Sequence, residues 1–148
     1  MSFIVSTGLR NHLLVTGSLK AGLDGGVIRI YSGTVPVDAD AAIAGGNTLL
    51  CTISDDAAGT GITLDGTPSG GVITKDVTEV WRGVNAATGT ASFFRFSALA
   101  DAFGSSATEK RLQGTCGVLN ADLLLASVSL VATEEQRIDS AAFGMPAS

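Results

Sequence analysis

The chain has 148 residues, enough for one domain with a substantial hydrophobic core. Its apolar fraction of 45% and its net charge of −5 exclude a disordered chain, and its nine scattered Lys and Arg residues argue against a nucleic-acid-binding surface. No apolar run approaches the roughly 18 residues that a membrane-spanning helix needs.

Two short helical turns are predicted in the N-terminal segment, residues 1–24. Ser6 and Ser18 each precede an apolar helical stretch, and a serine in this position accepts a hydrogen bond from an otherwise unpaired amide. The paired glycines after Asp24 end the helical character. Residues 1–5 are apolar but carry no basic side chain, so they do not predict a signal peptide, and we expect an intracellular origin.

Two strands are predicted next, at residues 27–31 and 48–53, because β-branched and apolar side chains dominate both runs. Between them, residues 35–43 predict a short surface helix. Pro36 stands near the start of that segment and two aspartates follow it, and both features are favourable in the first turn of a helix.

A Gly-rich stretch follows at residues 54–71, with three aspartates and one proline. Only the apolar positions Ile62 and Leu64 interrupt it. The composition predicts a long irregular loop or a weak hairpin, and loops of this length tend to be functional or ordered by a partner.

Short alternating runs separated by Gly, Asn and Ser make up the rest of the chain. They occupy residues 72–74, 77–84, 91–99, 111–118, 123–131 and 136–145, with hairpin connections predicted at 85–89 and 120–122. Strands at about ten-residue spacing with few helices predict an all-β fold. We therefore expect an antiparallel β-sandwich, or a jelly-roll-like fold, with a short N-terminal helical segment, in one domain covering residues 1–148.

The aromatic side chains of residues 91–99 must divide between two faces, because successive strand residues point to opposite sides of a sheet. Phe94 and Phe96 are expected in the core. Phe93 shares the other face with Arg95, and two alternatives remain open for it. It packs against the N-terminal helix or it contacts another subunit.

Side chains that carry catalysis or bind metals are few and far apart in the sequence. His12, the only histidine, lies in an apolar helical turn and predicts a local hydrogen bond rather than a catalytic triad. The acidic pairs at 38/40 and 55/56 lack the further ligands of a calcium loop. We predict no enzyme, no cofactor, and no catalytic, cofactor-binding or metal site.

Both cysteines are expected to be buried free thiols, because each lies in an alternating apolar run. Their spacing does not establish a disulfide. The side chains predicted to point inward with them are Leu49 and Ile53 for Cys51, and Leu112 and Val118 for Cys116.

Several segments together resemble the small virion structural proteins of tailed bacteriophages. They are residues 6–11 (STGLRN), 17–20 (GSLK), 28–33 (IRIYSG), 87–91 (ATGTA), 93–96 (FFRF) and 137–140 (RIDS). Within that class the chain is most similar to capsid decoration, or cement, proteins. The resemblance implies a β-sandwich or jelly-roll that binds the outside of the capsid as a dimer or trimer and bridges neighbouring major capsid subunits.

The partners that the resemblance implies are therefore the major capsid protein and further copies of this chain. Nucleic acid, membrane and small-molecule substrates are not expected partners, and the implied location is the capsid surface of a virion assembled in the bacterial cytoplasm. The low charged fraction of 16% agrees with a surface that is partly covered. Two alternatives stay open: a tail-tube or other tail component, and a carbohydrate- or receptor-binding β-sandwich.

The N-terminal segment and the 54–71 loop are expected to reach these partners. The candidate interface residues are Phe3, Ile4, Val5, Asp55, Asp56, Ile62, Leu64 and Phe93.

Overall fold

Strands dominate the structure, as the period-two patterning predicts. The computed structural model describes residues 3–145 and contains, within that range, two short α-helices, a π-helical turn and twelve strands. The helical elements are α1 (Thr7–Asn11), the π-helical turn His12–Thr16 and α2 (Leu19–Leu23). The strands are β1 (Ile4–Val5), β2 (Gly26–Ser32), β3 (Thr48–Asp55), β4 (Val72–Thr74), β5 (Trp81–Val84), β6 (Gly89–Thr90), β7 (Phe93–Ala98), β8 (Arg111–Gly117), β9 (Leu123–Leu124), β10 (Ser129–Leu130), β11 (Glu135–Ile138) and β12 (Ala142–Gly144).

One large sheet organises the fold. Its strands follow the order β1-β8-β7-β2-β3-β5-β11, with antiparallel pairing throughout, and β9 pairs in parallel with the end of β8 on the same side as β1. Two antiparallel ribbons, β4 with β12 and β6 with β10, complete the strands. The predicted fold class, an all-β antiparallel sandwich with a short N-terminal helical segment, is confirmed.

The core lies on one face of the main sheet. Trp81 of β5 and Phe143 of β12 both approach Phe96 of β7, with ring centroids 6.3 Å apart in each pair. Phe94 and Phe96 are buried in this core, which confirms their prediction. Burying each large apolar side chain contributes roughly 1.5–3 kcal/mol, so this cluster is the main source of stability.

Serine caps begin both α-helices, as predicted. The Oγ of Ser6 accepts a hydrogen bond from the amide of Leu9, and the Oγ of Ser18 accepts one from the amide of Ala21. Ser6 is buried and also joins the helix to β8. Its hydroxyl accepts from the amide of Arg111 at 2.9 Å and donates to the carbonyl of Glu109 at 2.7 Å.

We expect Ser6→Ala to lower the free energy of unfolding by about 2 kcal/mol, because it removes a cap and leaves buried backbone groups unpaired. Ser18→Ala is the matched control. Ser18 is exposed, so losing its cap should cost about 0.5–1 kcal/mol. Chemical denaturation of both variants measures the difference, and equal losses would contradict the role given to the buried hydroxyl.

The prediction of a surface helix at residues 35–43 is wrong. The segment forms bends without a helix. Its carbonyl groups do not bond along the chain but accept hydrogen bonds from arginines of the sheet, Arg95 to Asp38 and Ala41, and Arg111 to Ala39 and Asp40. Tertiary hydrogen bonding therefore overrides the local helical signals.

The 54–71 stretch is more firmly held than the loop prediction implies. The first two residues complete β3, and Ile62 and Leu64 form single bridges to Gly26 and Lys75. Both apolar side chains are fully buried in the core. Their prediction as interface residues is wrong, because the hydrophobic effect places them inside the chain.

Several predicted strands and connections differ in extent. The 77–84 run is a strand only at β5, because the carboxylate of Asp76 accepts hydrogen bonds from Thr78 and forms a turn before it. The 123–131 and 136–145 runs are each broken into two short strands. Neither predicted connection forms a hairpin, since β5 pairs with β3 and β11, and β8 with β9 in parallel.

A β-bulge changes which residues of β3 face the core. Cys51 pairs with Ile30 but Leu49 pairs with Tyr31, so Leu50 is the extra residue and turns inward beside Cys51. The prediction that Leu49 shares the buried face is therefore wrong.

Both cysteines are free, as predicted, and Cys51 is fully buried. Cys116 is only half-buried, although it packs against the core, and Val118 is exposed rather than inward. Burial raises the pKa of each thiol to about 12, so neither cysteine is a ready nucleophile at neutral pH.

Candidate functional site

A layer of buried polar side chains covers the face of the main sheet opposite the core. Arg29 of β2 lies directly across from Arg95 of β7, which lies across from Gln113 of β8, and Arg111 lies across from Ser97 two residues further along. Because strand residues two apart share a face, the side chains of Arg29, Arg95, Gln113 and Arg111 lie together. We call these four side chains the arginine layer. All four are buried, Arg95 and Arg111 at 1% exposure.

One carboxylate pairs with this layer. Arg111 donates from Nε and Nη2 to the two carboxylate oxygens of Asp101, both at 2.7 Å, and both side chains are 1% exposed. Burial opposes ionisation of Asp101, but the hydrogen bonds from Arg111 and from the amide of Phe103 prevail and hold the pKa of that carboxyl below its ordinary value.

Arg95 is held by neutral oxygen atoms instead. It donates twice to the side-chain oxygen of Gln113, at 2.6 and 3.2 Å, and once to the carbonyl of Ala41 at 2.9 Å. Burial and the nearby charge of Arg111 lower the pKa of Arg95 to about 10. The guanidinium therefore stays protonated at neutral pH and acts as a hydrogen-bond donor.

The layer binds two covering loops, residues 33–47 and 99–110, to the sheet. Besides the carbonyls named above, Gln113 donates to Pro36, Arg111 to Gly104, and Arg29 to Leu99. Neither motif nor spacing in the sequence predicts this role. Three strands that each carry arginine among apolar residues were its only signal.

Aromatic rings complete this face. Phe93 stacks on Tyr31 with ring centroids 5.1 Å apart, and the guanidinium of Arg29 lies 4.5 Å from the ring centre of Phe103. Phe93 is fully buried, so its prediction as an interface residue is wrong, and its neighbour is Tyr31 rather than the N-terminal helix. Burial raises the pKa of Tyr31, whose Oη has no hydrogen-bond partner among residues 3–145. This face therefore stabilises the loops and leaves little access from outside.

An open cleft lies where the two edges of the main sheet approach each other. Its volume is about 780 Å³, and it is lined from β9, from β4 and the residues after it, and from the end of β11 and the turn that follows. Since β9 and β11 belong to opposite ends of the strand order, the sheet is curled. The residues that line it include Lys75, Val77, Leu123, Leu124, Arg137 and Asp139. We call this the edge cleft.

The edge cleft combines exposed apolar side chains with charges of both signs. Val77 is 83% exposed and Leu124 is 58% exposed. Lys75 and Arg137 supply positive charge, and Asp139 accepts a hydrogen bond from Arg137 at 2.8 Å. Such a mixture suits contact with a protein segment, which offers both apolar side chains and hydrogen-bonding groups.

The structure does not gather the predicted interface residues into one surface. Phe3 and Val5 pack against the core, Phe3 on Phe143 at 6.2 Å, and only Ile4 of that segment is exposed, at 39%. Asp55 accepts a hydrogen bond from the amide of Val80.

The exposed side chain of Asp56 forms an ion pair with Arg82 at 2.8 Å, so it is engaged with β5. Residues 3–5 lie beside β8, whereas Asp55 and Asp56 lie beside β5, and three strands separate β8 from β5 in the sheet. Of the predicted interface set, Ile4 and Asp56 are the exposed side chains.

Other predicted features have local partners. The Nε2 atom of His12 lies 3.2 Å from the carbonyl oxygen of Ser18, which is the local hydrogen bond expected for it. Within residues 3–145, no group of three or more His, Cys, Asp or Glu side chains could hold a metal ion. The helices described in that range are too short to cross a membrane.

No family model, curated protein or solved structure matches this chain.

Proposed function

We propose that this chain is a structural protein of a tailed-bacteriophage virion, which decorates the capsid surface and cements it by bridging neighbouring major capsid subunits. The resemblance of six sequence segments to virion structural proteins motivates the proposal. The edge cleft is the observation that carries it, because the cleft presents Val77 and Leu124 to solvent beside charged groups. In this proposal a segment of the coat protein covers these two side chains.

The framework around the edge cleft suits such a role. A buried core on one face of the sheet and the arginine layer on the other keep the sheet edges in fixed positions. A standard interface buries about 1,600 Å² in total, yet interfaces of this size vary widely in affinity. Contact with two coat subunits at once raises the effective concentration, so that modest interfaces together give durable attachment.

The test uses particles of the phage that encodes this chain. Their tails are sheared off, and the heads are purified and imaged by electron microscopy. We expect the protein to remain on the heads at regular positions. Its recovery with the tails instead would favour a tail component and overturn the proposal.

A pair of matched variants tests the edge cleft itself. Val77→Asp combined with Leu124→Asp should release the protein from heads, because it places two charges in an apolar contact. Val37→Asp is the control, since Val37 is 85% exposed but lies in a covering loop away from the cleft. If the double variant binds heads as tightly as Val37→Asp does, the cleft is not the contact.

A further inference from the structure

Strand β11 is an open edge of the main sheet. It ends the strand order and pairs only with β5 among the strands of that sheet. An edge strand presents unpaired backbone groups that can bond to another strand. Its sequence, Glu135–Ile138, has two exposed charged residues, Glu135 and Arg137, alternating with the buried Gln136 and Ile138.

The residues whose backbone groups point away from β5 follow from the pairing. The amide of Asn85 donates to the carbonyl of Glu134 at 2.8 Å, and this bond shows which residues of β11 form hydrogen bonds with β5. In an antiparallel ladder every second residue bonds to the partner strand. Gln136 and Ile138 therefore bond to β5, opposite Gly83 and Trp81, and the amides and carbonyls of Glu135 and Arg137 point outward.

We propose that β11 pairs antiparallel with β11 of a second copy of this chain, around a two-fold axis through Gln136. This register places Glu135 opposite Arg137 of the second copy, and Arg137 opposite Glu135 of the second copy. Each pair exchanges two backbone hydrogen bonds and joins opposite charges across the strands. A two-fold axis makes one patch bind itself, which requires this kind of self-complementary pattern.

Neighbouring registers are excluded by charge and by face. If one strand slides by two residues relative to the other, Glu135 lies opposite Glu135 of the second copy, or Arg137 lies opposite Arg137. Like charges directly across strands are destabilising. If the strand slides by one residue instead, buried side chains of one copy lie opposite exposed side chains of the other. The sequence of this edge therefore specifies one antiparallel register.

The charges already on the sheet also favour a second copy. Arg137 lies directly across from Arg82 of β5, which is a like-charge pair. The present ion pairs, Arg82 with Glu135 and Arg137 with Asp139, are in contact with solvent, which screens them, so they can be exchanged. Glu135 of the second copy would bring a further carboxylate to this positive pair.

This inference deepens the proposed function, on which it rests for the presence of many copies at one surface. The experiment reads association in solution, so the two can fail separately. Self-association without attachment to heads would leave the edge pairing standing and overturn the decoration role. Attachment to heads by a chain that stays monomeric in solution would support the decoration role and overturn the edge pairing.

The test is a charge exchange, read by sedimentation velocity in a concentration series up to about 1 mM, where even a millimolar Kd gives a detectable dimer. The wild-type chain should dimerise. Glu135→Arg and Arg137→Glu should each be monomeric, because each sets like charges opposite one another. An equimolar mixture of the two variants should dimerise again, and so should the double variant Glu135→Arg with Arg137→Glu.

Lys110→Glu is the control, since it makes the same charge change as Arg137→Glu at an exposed position outside β11 and should not affect association. Circular dichroism verifies that each variant is folded. A wild-type chain that is monomeric at the highest concentration would overturn the pairing. Single variants that dimerise as well as the wild type, or a mixture that stays monomeric, would also overturn it.

Discussion

Asp101→Asn should lower the free energy of unfolding by about 3 kcal/mol, the scale expected when one partner of a buried ion pair is removed. Asp101 is the carboxylate that pairs with Arg111, and Arg95 and Arg29 lie in the same layer. Neutralising it leaves three buried guanidinium groups with backbone and amide oxygens as their remaining acceptors. The charge of Arg111 then has no adjacent counter-charge in a region shielded from water.

Asp139→Asn is the matched control for this experiment. Asp139 also pairs with an arginine, at 2.8 Å, but its side chain is 83% exposed. Its loss should change stability by less than about 0.5 kcal/mol, because water screens an exposed pair. Urea denaturation of the two variants measures the contrast, and similar losses would contradict a buried, stabilising Asp101.

The same pair predicts a pH dependence. The pKa of Asp101 is lower in the folded chain than its ordinary value of 3.8, so its stabilising contribution is fully present above that value. As the pH falls through the lowered folded pKa, the contribution is lost. The stability difference between wild type and Asp101→Asn should therefore shrink below about pH 4. A difference that stays constant down to pH 2 would exclude the carboxylate as its source.

Leu64→Ala should lower the free energy of unfolding by about 2–5 kcal/mol, the range for truncating a fully buried leucine. Leu64 is in the core, although the chain around it is rich in glycine. Its amide donates to the carboxylate of Asp24 at 2.9 Å, and its carbonyl accepts from Lys20 at 2.6 Å. Removing its side chain leaves a cavity below a backbone segment that these bonds prevent from collapsing.

Leu14→Ala makes the same substitution at a leucine that is 80% exposed, in the π-helical turn, and should cost less than about 1 kcal/mol. Thermal or chemical denaturation compares the two. If both variants lose equally little, Leu64 does not support the core, and residues 54–71 form the irregular loop that their composition predicts. Deleting residues 56–69 should unfold the chain, because it removes Ile62 and Leu64 from the core.

The parts of the fold that sequence predicts best are those where local and tertiary preferences agree. Strands β2 and β7 combine β-branched or aromatic residues with a buried apolar face, and both form where predicted. The caps at Ser6 and Ser18 form because their hydrogen bonds involve amides three residues away. Signals of this kind depend little on distant parts of the chain.

Predictions fail where distant contacts decide. The 35–43 segment has helical signals but bonds to arginines more than fifty residues away. The bulge in β3 turns Leu50 inward in place of Leu49, while Cys51 and Ile53 keep their predicted positions, and alternation alone cannot reveal this change. In the sequence, Ile62 and Leu64 are two isolated apolar residues in a Gly-rich stretch. Their bridges to Gly26 and Lys75, which place them in the core, involve distant or unpredicted contacts.

The candidate site was harder to predict than the fold. The edge cleft joins residues from β9, β4 and β11, whose proximity depends on the curl of the whole sheet. Alternation places Phe93 on the correct face of its strand, opposite Phe94, but it does not reveal the covering loops that bury that face. The expectations of a virion location and of coat-protein partners remain predictions.

The pairing of β1 with β8 has a consequence for the timing of folding. Ile4 lies opposite Gln113, and the hydroxyl of Ser6 bonds to Glu109 and Arg111. Strand β1 therefore cannot pair until more than a hundred further residues have been synthesised, and β11 is made later still. Such non-local pairing slows folding to milliseconds or longer. The main sheet therefore cannot be complete before β11 has left the ribosome, and the chain should be most vulnerable to proteases and to aggregation until then.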